Sequence, residues 1–561
     1  MHDTVIKDAV IVDGTGSAPV NGDLAISQGK IVAIGSDLGA ARNVVDAGGL
    51  ALMPGIIDGH THLDAQLTWD PFADPCTSLG VTSVVIGNCG FTIAPCKPAD
   101  RDLTMRNLTQ VEGMPLEALR AGIRWEFETF PQYLAMLEQV GVGPNVASFA
   151  GHSSIRTYVM GEEASQRTAT PEELDRMAQL VREAMAAGAV GFSTTIAKNH
   201  NGDGGHPMPS RLAGFDEMQA LAEAMGSAGR GVFMITRGSG ATVSVSQVAQ
   251  FTESCGRPVL IAGFLYNPAY PDGHLKDLSE VAEARAAGRR IWGEVSCCPL
   301  TMDFTLEFPY FLEAYSAWKP AMKVKGAALK ELYRDTAFRE AMKRDLDAMR
   351  GSLAFSSQWD KVLVVEAALP RNAALEGRSI QSIASERGVH PLDCFLDLGI
   401  AEDLRTTFVV HLQNADEEAV APLLTDRNNY ISLSDAGAHT SLFCDAGFGL
   451  HLLGHWVREK GVMTLQEAAF RLTGQPASIF GFPGRGRLLP GYAADLLLFD
   501  PATVGRAPSR RVRDFPGAAS RLTSSPTGVH GVWVNGRQIA DGRGVRQDAA
   551  RAGQIIRSFT H

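Results

Sequence analysis

The sequence predicts an α/β protein: a parallel sheet closed as a (β/α)8 barrel of the TIM type, beside a small β domain built from both chain ends. Three observations predict it. A helix-then-strand unit recurs through the middle of the chain. Both termini are rich in β-branched residues punctuated by glycine, and the middle is not. At 561 residues the chain is also too long for one small domain.

The N-terminal segments "TVIKDAVIVDG", "GDLAISQGKIVAIG" and "VVDAGGLALMPG" read as short strands that end at Pro54-Gly55. "ADLLLFDP" and "GVHGVWVNGRQIADG" repeat that texture near the C-terminus. The expected division is one β domain from residues 1–54 and 484–561, with the barrel at 55–483 between them. In "TPEELDRMAQLVREAMAAGAVGFSTT", Thr170 caps a helix, Pro171 takes its first position and Glu173 completes a capping box. Leu174, Met177, Leu180, Val181 and Met185 form its apolar stripe, Gly188 ends it, and "AVGF" follows as a buried strand. The unit recurs at "DEMQALAEAMGSAGRGVFMITRG" and "DLSEVAEARAAGRRIWGEVS". A doubly wound sheet is the alternative to the closed barrel. The loop "KNHNGDGGHPMPSR" leaves a strand at the end where active sites of parallel α/β folds lie.

Composition bounds the function. A hydrophobic content of 45% and a charged content of 20% are those of an ordinary globular enzyme. The net charge is -11 and no basic run stands out, so nucleic acid is not an expected partner. No stretch approaches the length of a membrane span, and the first residues lack the pattern of a secretory leader, so a cytoplasmic protein is expected. The eight cysteines, at 76, 89, 96, 255, 297, 298, 394 and 444, form no CxxC pair and fit a reducing compartment.

Four residues stand out for chemistry. His60 and His62 stand two apart after the apolar "LMPGIID", a spacing that turns two imidazoles to one face of an extended chain and toward one cation. Asp435 follows the strand "YISL" and could bind a metal and accept a proton from water. Cys89 ends "VTSVVIGNCG", where a thiolate would suit zinc; a buried, inert cysteine is the competing reading. His152, His200, His206, His411 and His439 also sit at or just beyond strand-like segments, as a polar rim would. No nucleophile elbow, Walker loop or dinucleotide-binding glycine fingerprint is present.

Taken in order, "LMPGIIDGHTHLD", "VVIGNCGFTIAP", "GHSSIRTYVMG", "LSDAGAH", "LPGYAADLLLFDP" and "GVHGVWVNGRQIADG" resemble the amidohydrolase superfamily, and within it the N-acyl-D-amino-acid deacylase family. The resemblance runs nearly end to end. It implies a metal-dependent barrel with a β-sandwich made of both termini. It implies that His60 and His62 are the first-strand metal pair, Cys89 a zinc ligand and Asp435 the general acid/base, with Asp435 also near the metal. It further implies zinc or another divalent ion as cofactor and a small-molecule amide as substrate. Homo-oligomers are common among such enzymes, and one is expected here.

The chain departs from that pattern at two places. The family's fifth and sixth strands each end in a histidine, whereas "GVFMITRGSG" and "RPVLIAGFLYNP" carry Ile235, Thr236 and Arg237, then Gly263 and Phe264. A reduced site with one ion is therefore expected, unless His152, His200 or His206 substitutes. The expected reaction is hydrolysis of an N-acyl amino acid or related amide by activated water. Asp435 would move the proton, and His152 would help to polarise the carbonyl. Arg237, His200 and His439 would contact substrate, with a structural salt bridge as the other reading of Arg237. The alternatives are a cyclic amide hydrolase on the same site and a ligand-binding homologue without hydrolytic activity.

Overall fold

Eight short parallel strands carry the middle of the chain: β1 (Ile56–Asp58), β2 (Val81–Ile86), β3 (Asn145–Gly151), β4 (Gly191–Thr195), β5 (Val232–Thr236), β6 (Val259–Phe264), β7 (Ile291–Val295) and β8 (Asn429–Ile431). They pair in chain order, and a parallel bridge between Thr61 and Ala436 brings the first strand's exit to the last strand's exit. This is the barrel the sequence predicts. The computed structural model describes residues 1–560 apart from 239–242, 314, 349–354, 356 and 441–444, so Cys444 lies outside the described residues.

The strands form because their residues suit burial on both faces. Every residue of β2, "VTSVVI", is buried, as in a sheet covered on each side. The helix Pro171–Ala187 begins and ends where the sequence places it. The Thr170 hydroxyl accepts from the Glu173 amide, the Glu173 carboxylate accepts from the Thr170 amide, and Gly188 closes the helix in the left-handed region. Replacing Thr170 by Ala is expected to cost about 1 kcal/mol, read as a lower denaturant midpoint at unchanged slope.

Both chain ends share one sheet. It takes five strands from His2–Ile11 to Ala51–Pro54 and four from Leu496–Phe499 to Gly544–Val545. The ends meet where Ala51–Pro54 pairs antiparallel with Leu496–Phe499. Their core is joint as well, with Ile6, Leu24 and Leu52 from one end packed with Leu488, Leu496 and Trp533 from the other.

The chain divides into two compact units. One comprises residues 1–264, 277–297 and 421–561, and holds the barrel strands and the terminal sheet. The other comprises residues 265–276 and 298–420. This second unit has its own antiparallel sheet, ordered Leu300–Phe304, Thr407–Gln413, Val362–Glu366, with an aromatic core of Phe304, Phe395 and Phe408. This unit lies inside the span 55–483 expected for the barrel, where an inserted helix-and-strand segment carries the same periodicity as a barrel repeat. His411 lies in this unit's middle strand, not on the barrel rim. No helix among the described residues is long and apolar enough to cross a membrane.

Candidate metal centre

The residues that could hold a metal all come from the C-terminal ends of the barrel strands, the face where such barrels build their sites. His60 and His62 leave β1, Cys89 lies just past β2, and Asp435 lies just past β8. Cys89 and Asp435 hold left-handed backbones at φ 56° and 51°. Non-glycine residues adopt that region at a cost, and they cluster where geometry serves function. Gly437, at φ 94°, also needs its lack of a side chain: a Cβ there would stand 2.4 Å from the His62 carbonyl oxygen.

Four side-chain atoms converge. Asp435 Oδ1 lies 3.4 Å from His60 Nε2 and 3.5 Å from His62 Nε2, and Cys89 Sγ lies 3.5 Å from His60 Nε2. One ligand atom each from His60, His62 and Cys89 falls within 4.8 Å of the others, and all three residues are buried. The 3.4 and 3.5 Å distances also match edges of a tetrahedron around one zinc, about 3.3–3.6 Å for bonds of about 2.0–2.3 Å.

Supporting contacts turn the donors inward. His60 Nδ1 donates to Glu294 Oε2 at 2.6 Å, which leaves Nε2 facing the cluster. Tyr430 donates its hydroxyl hydrogen to the other oxygen of Glu294. His62 Nδ1 stands 3.3 Å from Glu112 Oε1, and the Glu112 backbone carbonyl accepts from the His439 amide. Asp58, the last residue of β1, accepts from the Ser434 hydroxyl and the His60 amide, and so ties the exits of β1 and β8 together.

The charges of the cluster are mutually stabilised. Burial alone would push the Cys89 thiol up, but the charge of His60 and hydrogen bonds from His60 and His62 outweigh it and lower its pKa. That favours the thiolate, the ligand form. Burial also opposes ionisation of Asp435, yet a hydrogen bond from His62 and the charges of His60, His62 and His439 hold it well below the usual carboxylate range. Its side chain remains 22% exposed and borders a cavity lined by Leu63, Gln66, Gly437 and Arg521. The donor set fits a borderline-soft divalent ion such as zinc.

The absent histidines have identifiable replacements. Thr236, at the end of β5, puts Oγ1 3.1 Å from Cys89 Sγ. Gly263 in β6 has open space where a Cβ would sit. His152 does not substitute. It is wholly buried, with Nδ1 on the Thr194 hydroxyl at 2.8 Å and Nε2 on Glu217 at 3.0 Å, so neither nitrogen is free for a substrate carbonyl. Burial lowers its pKa despite Glu217, and Arg156 closes the network on the same carboxylate. His206 is exposed on its loop.

Arg237 is an internal ion pair. Its Nη2 meets Asp277 Oδ2 at 2.6 Å and its Nη1 donates to the Val243 carbonyl at 2.9 Å, so a substrate carboxylate would have to displace both. His200 does reach the cluster's surroundings. Its ring lies edge-on to Phe91, which also stacks on His62, and its Nδ1 meets the Thr195 hydroxyl at 2.8 Å. Burial pushes its pKa down to about 3, so it is a neutral ring beside the site. His439 Nε2 stands 3.9 Å from Glu112 Oε2.

Comparison with known proteins agrees with this geometry. The amidohydrolase family matches residues 43–284 and 360–540. The chain belongs to the amidohydrolase family. Among its relatives, a D-aminoacylase of Alcaligenes xylosoxydans xylosoxydans is 28% identical over 96% of this chain and 94% of its own. An N-acyl-D-aspartate deacylase of the same organism is 29% identical over 99% and 95%. A solved N-acyl-D-glutamate deacylase from Bordetella bronchiseptica, complexed with zinc and a phosphonate inhibitor, superposes with a TM-score of 0.66 at 24% identity, covering 99% of this chain and 100% of its own. That last likeness bears on the fold alone. Glu294 and Glu112 escape a motif-based reading of this amidohydrolase. The available signal for Glu294 is a lone carboxylate inside the apolar strand "IWGEV"; Glu112 ends a helix and leaves none.

Proposed function

We propose that this amidohydrolase deacylates N-acyl amino acids, with the D-series as the leading substrate class, through a single divalent ion. The observation that carries the reading is the convergence of His60 Nε2, His62 Nε2, Cys89 Sγ and Asp435 Oδ1 at zinc-like spacing. The deacylases that cover this chain end to end support the substrate class. When bound, the ion supplies Lewis-acid activation of water and of the amide carbonyl. Asp435 accepts the proton of the attacking water and returns it to the leaving nitrogen. Glu294 fixes the His60 tautomer, and Thr236 flanks the Cys89 sulfur. His200 and His439 are assigned to the substrate-facing wall. His152 is reassigned to holding the β3 exit against β4, and Arg237 to anchoring the β5 exit.

The test is metal content by elemental analysis with deacylation of N-acetyl-D-amino acids, in wild type, His60→Ala and Cys89→Ala. About one zinc per chain in wild type, lost with activity in both variants, is expected. A wild-type protein that takes up no divalent ion removes the hydrolytic reading and favours a ligand-binding homologue. Activity confined to cyclic amides keeps the site and replaces the substrate.

A further inference from the structure

At the end of the barrel opposite the metal cluster lies a second cavity, of about 550 Å³. Trp292 near the start of β7 and Arg427 just before β8 line it, so it sits at the N-terminal ends of the strands. Four arginines, Arg285, Arg427, Arg471 and Arg487, face one acidic residue, Glu467. The lining is thus cationic on a chain whose net charge is -11.

Arg471 adds a buried charge behind the cavity wall. It is fully buried in the last turn of the helix Leu465–Leu472. Its Nη2 donates to the Asp426 carbonyl at 3.0 Å, while Nε and Nη1 have no hydrogen-bond partner. The carboxylate of Glu467 is 4.0 Å from Nη1, and it also faces Arg427 at 3.5 Å. Burial lowers the pKa of Arg471 to about 10, which leaves it cationic at neutral pH. Arg285 is pre-positioned, stacked 4.4 Å from the Trp292 ring and held by Asn428 and the Ile291 carbonyl. A buried cation with unpaired donors is costly, and an arginine fork matches phosphate oxygens. The strand N-termini of a barrel are not its catalytic face, so a ligand here is distinct from the substrate.

We infer that this cavity binds a small phosphate-bearing anion through Arg487 and Arg427, with the charge of buried Arg471 behind its wall. Arg285 forms the fixed floor, and Arg427, whose side chain is 83% exposed, closes over the ligand from the rim. The anion is either free phosphate or a phosphate monoester, and both use the same contacts.

Calorimetric titration of the full-length holoenzyme with inorganic phosphate and, separately, with glycerol 3-phosphate tests this at ionic strength held constant with sodium chloride. Saturable binding is expected, weakened at least about tenfold in Arg427→Ala/Arg487→Ala, with metal content and hydrolysis unchanged. Arg471→Met, which removes the charge behind the wall, should weaken it less than the double variant does; if that variant fails to fold, the double variant decides. Tighter binding of the monoester points to a phosphorylated metabolite, and the reverse to the free ion. Absence of saturable binding overturns the inference. So does binding that survives the double variant or is lost in His60→Ala, since either would place phosphate elsewhere.

Discussion

Asp435→Asn is expected to lower kcat for amide hydrolysis by about a thousandfold, within the range for loss of a positioned general acid/base. The substitution keeps the shape and removes the charge. An amide oxygen can still face a cation, but it cannot accept a proton from water at neutral pH. The side chain is suited to the task by its surroundings. It sits at the exit of β8, 3.4 and 3.5 Å from two imidazole nitrogens, and borders a cavity. His62, His60 and His439 keep it ionised against the effect of burial. The measurement is kcat and KM for an N-acetyl-D-amino acid beside zinc stoichiometry. A fall in kcat with the zinc retained assigns proton transfer to Asp435. Parallel loss of zinc would make it chiefly a ligand, and an unchanged kcat would remove it from the mechanism.

The parts of this protein legible in sequence are those fixed by local chemistry. The capped helix at Thr170–Gly188 and the β-branched ends follow from period, caps and glycine, and the structure places them as read. His60, His62, Cys89 and Asp435 stand out in sequence as candidates because each lies a few residues past a recognisable apolar strand. What escaped depends on contacts between distant segments. Glu294 lies 234 residues from His60, and no local pattern connects them. His152 stands at a strand exit like a catalytic residue, yet Glu217, on a later helix, takes its nitrogen. Arg237 likewise looks free until Asp277 is brought to it across 40 residues. Ionisable side chains near a strand end are easy to find; which of them are already paired is a tertiary property.

Glu294→Ala follows from the same reasoning and should be nearly as damaging as loss of a ligand, although Glu294 is not placed among the metal's ligands. Its carboxylate is 1% exposed and serves two donors, His60 Nδ1 on one oxygen and the Tyr430 hydroxyl on the other. Truncation leaves both buried donors unpaired. Breaking a buried pair in this way costs about 3–5 kcal/mol. It also frees the His60 ring to rotate or change tautomer, and loss of such an orienting partner weakens metal affinity by about 10–100-fold. Glu294→Gln separates the two effects. The amide carbonyl can still accept from His60, so stability should recover more than zinc affinity, which depends on the negative charge raising the basicity of the ring. Competition for zinc against a chelator of known affinity, with thermal unfolding of the metal-free proteins, reads the two quantities independently. Zinc affinity at the wild-type level in Glu294→Ala would show that the hydrogen bond at His60 Nδ1 is dispensable and that packing alone aims the ring.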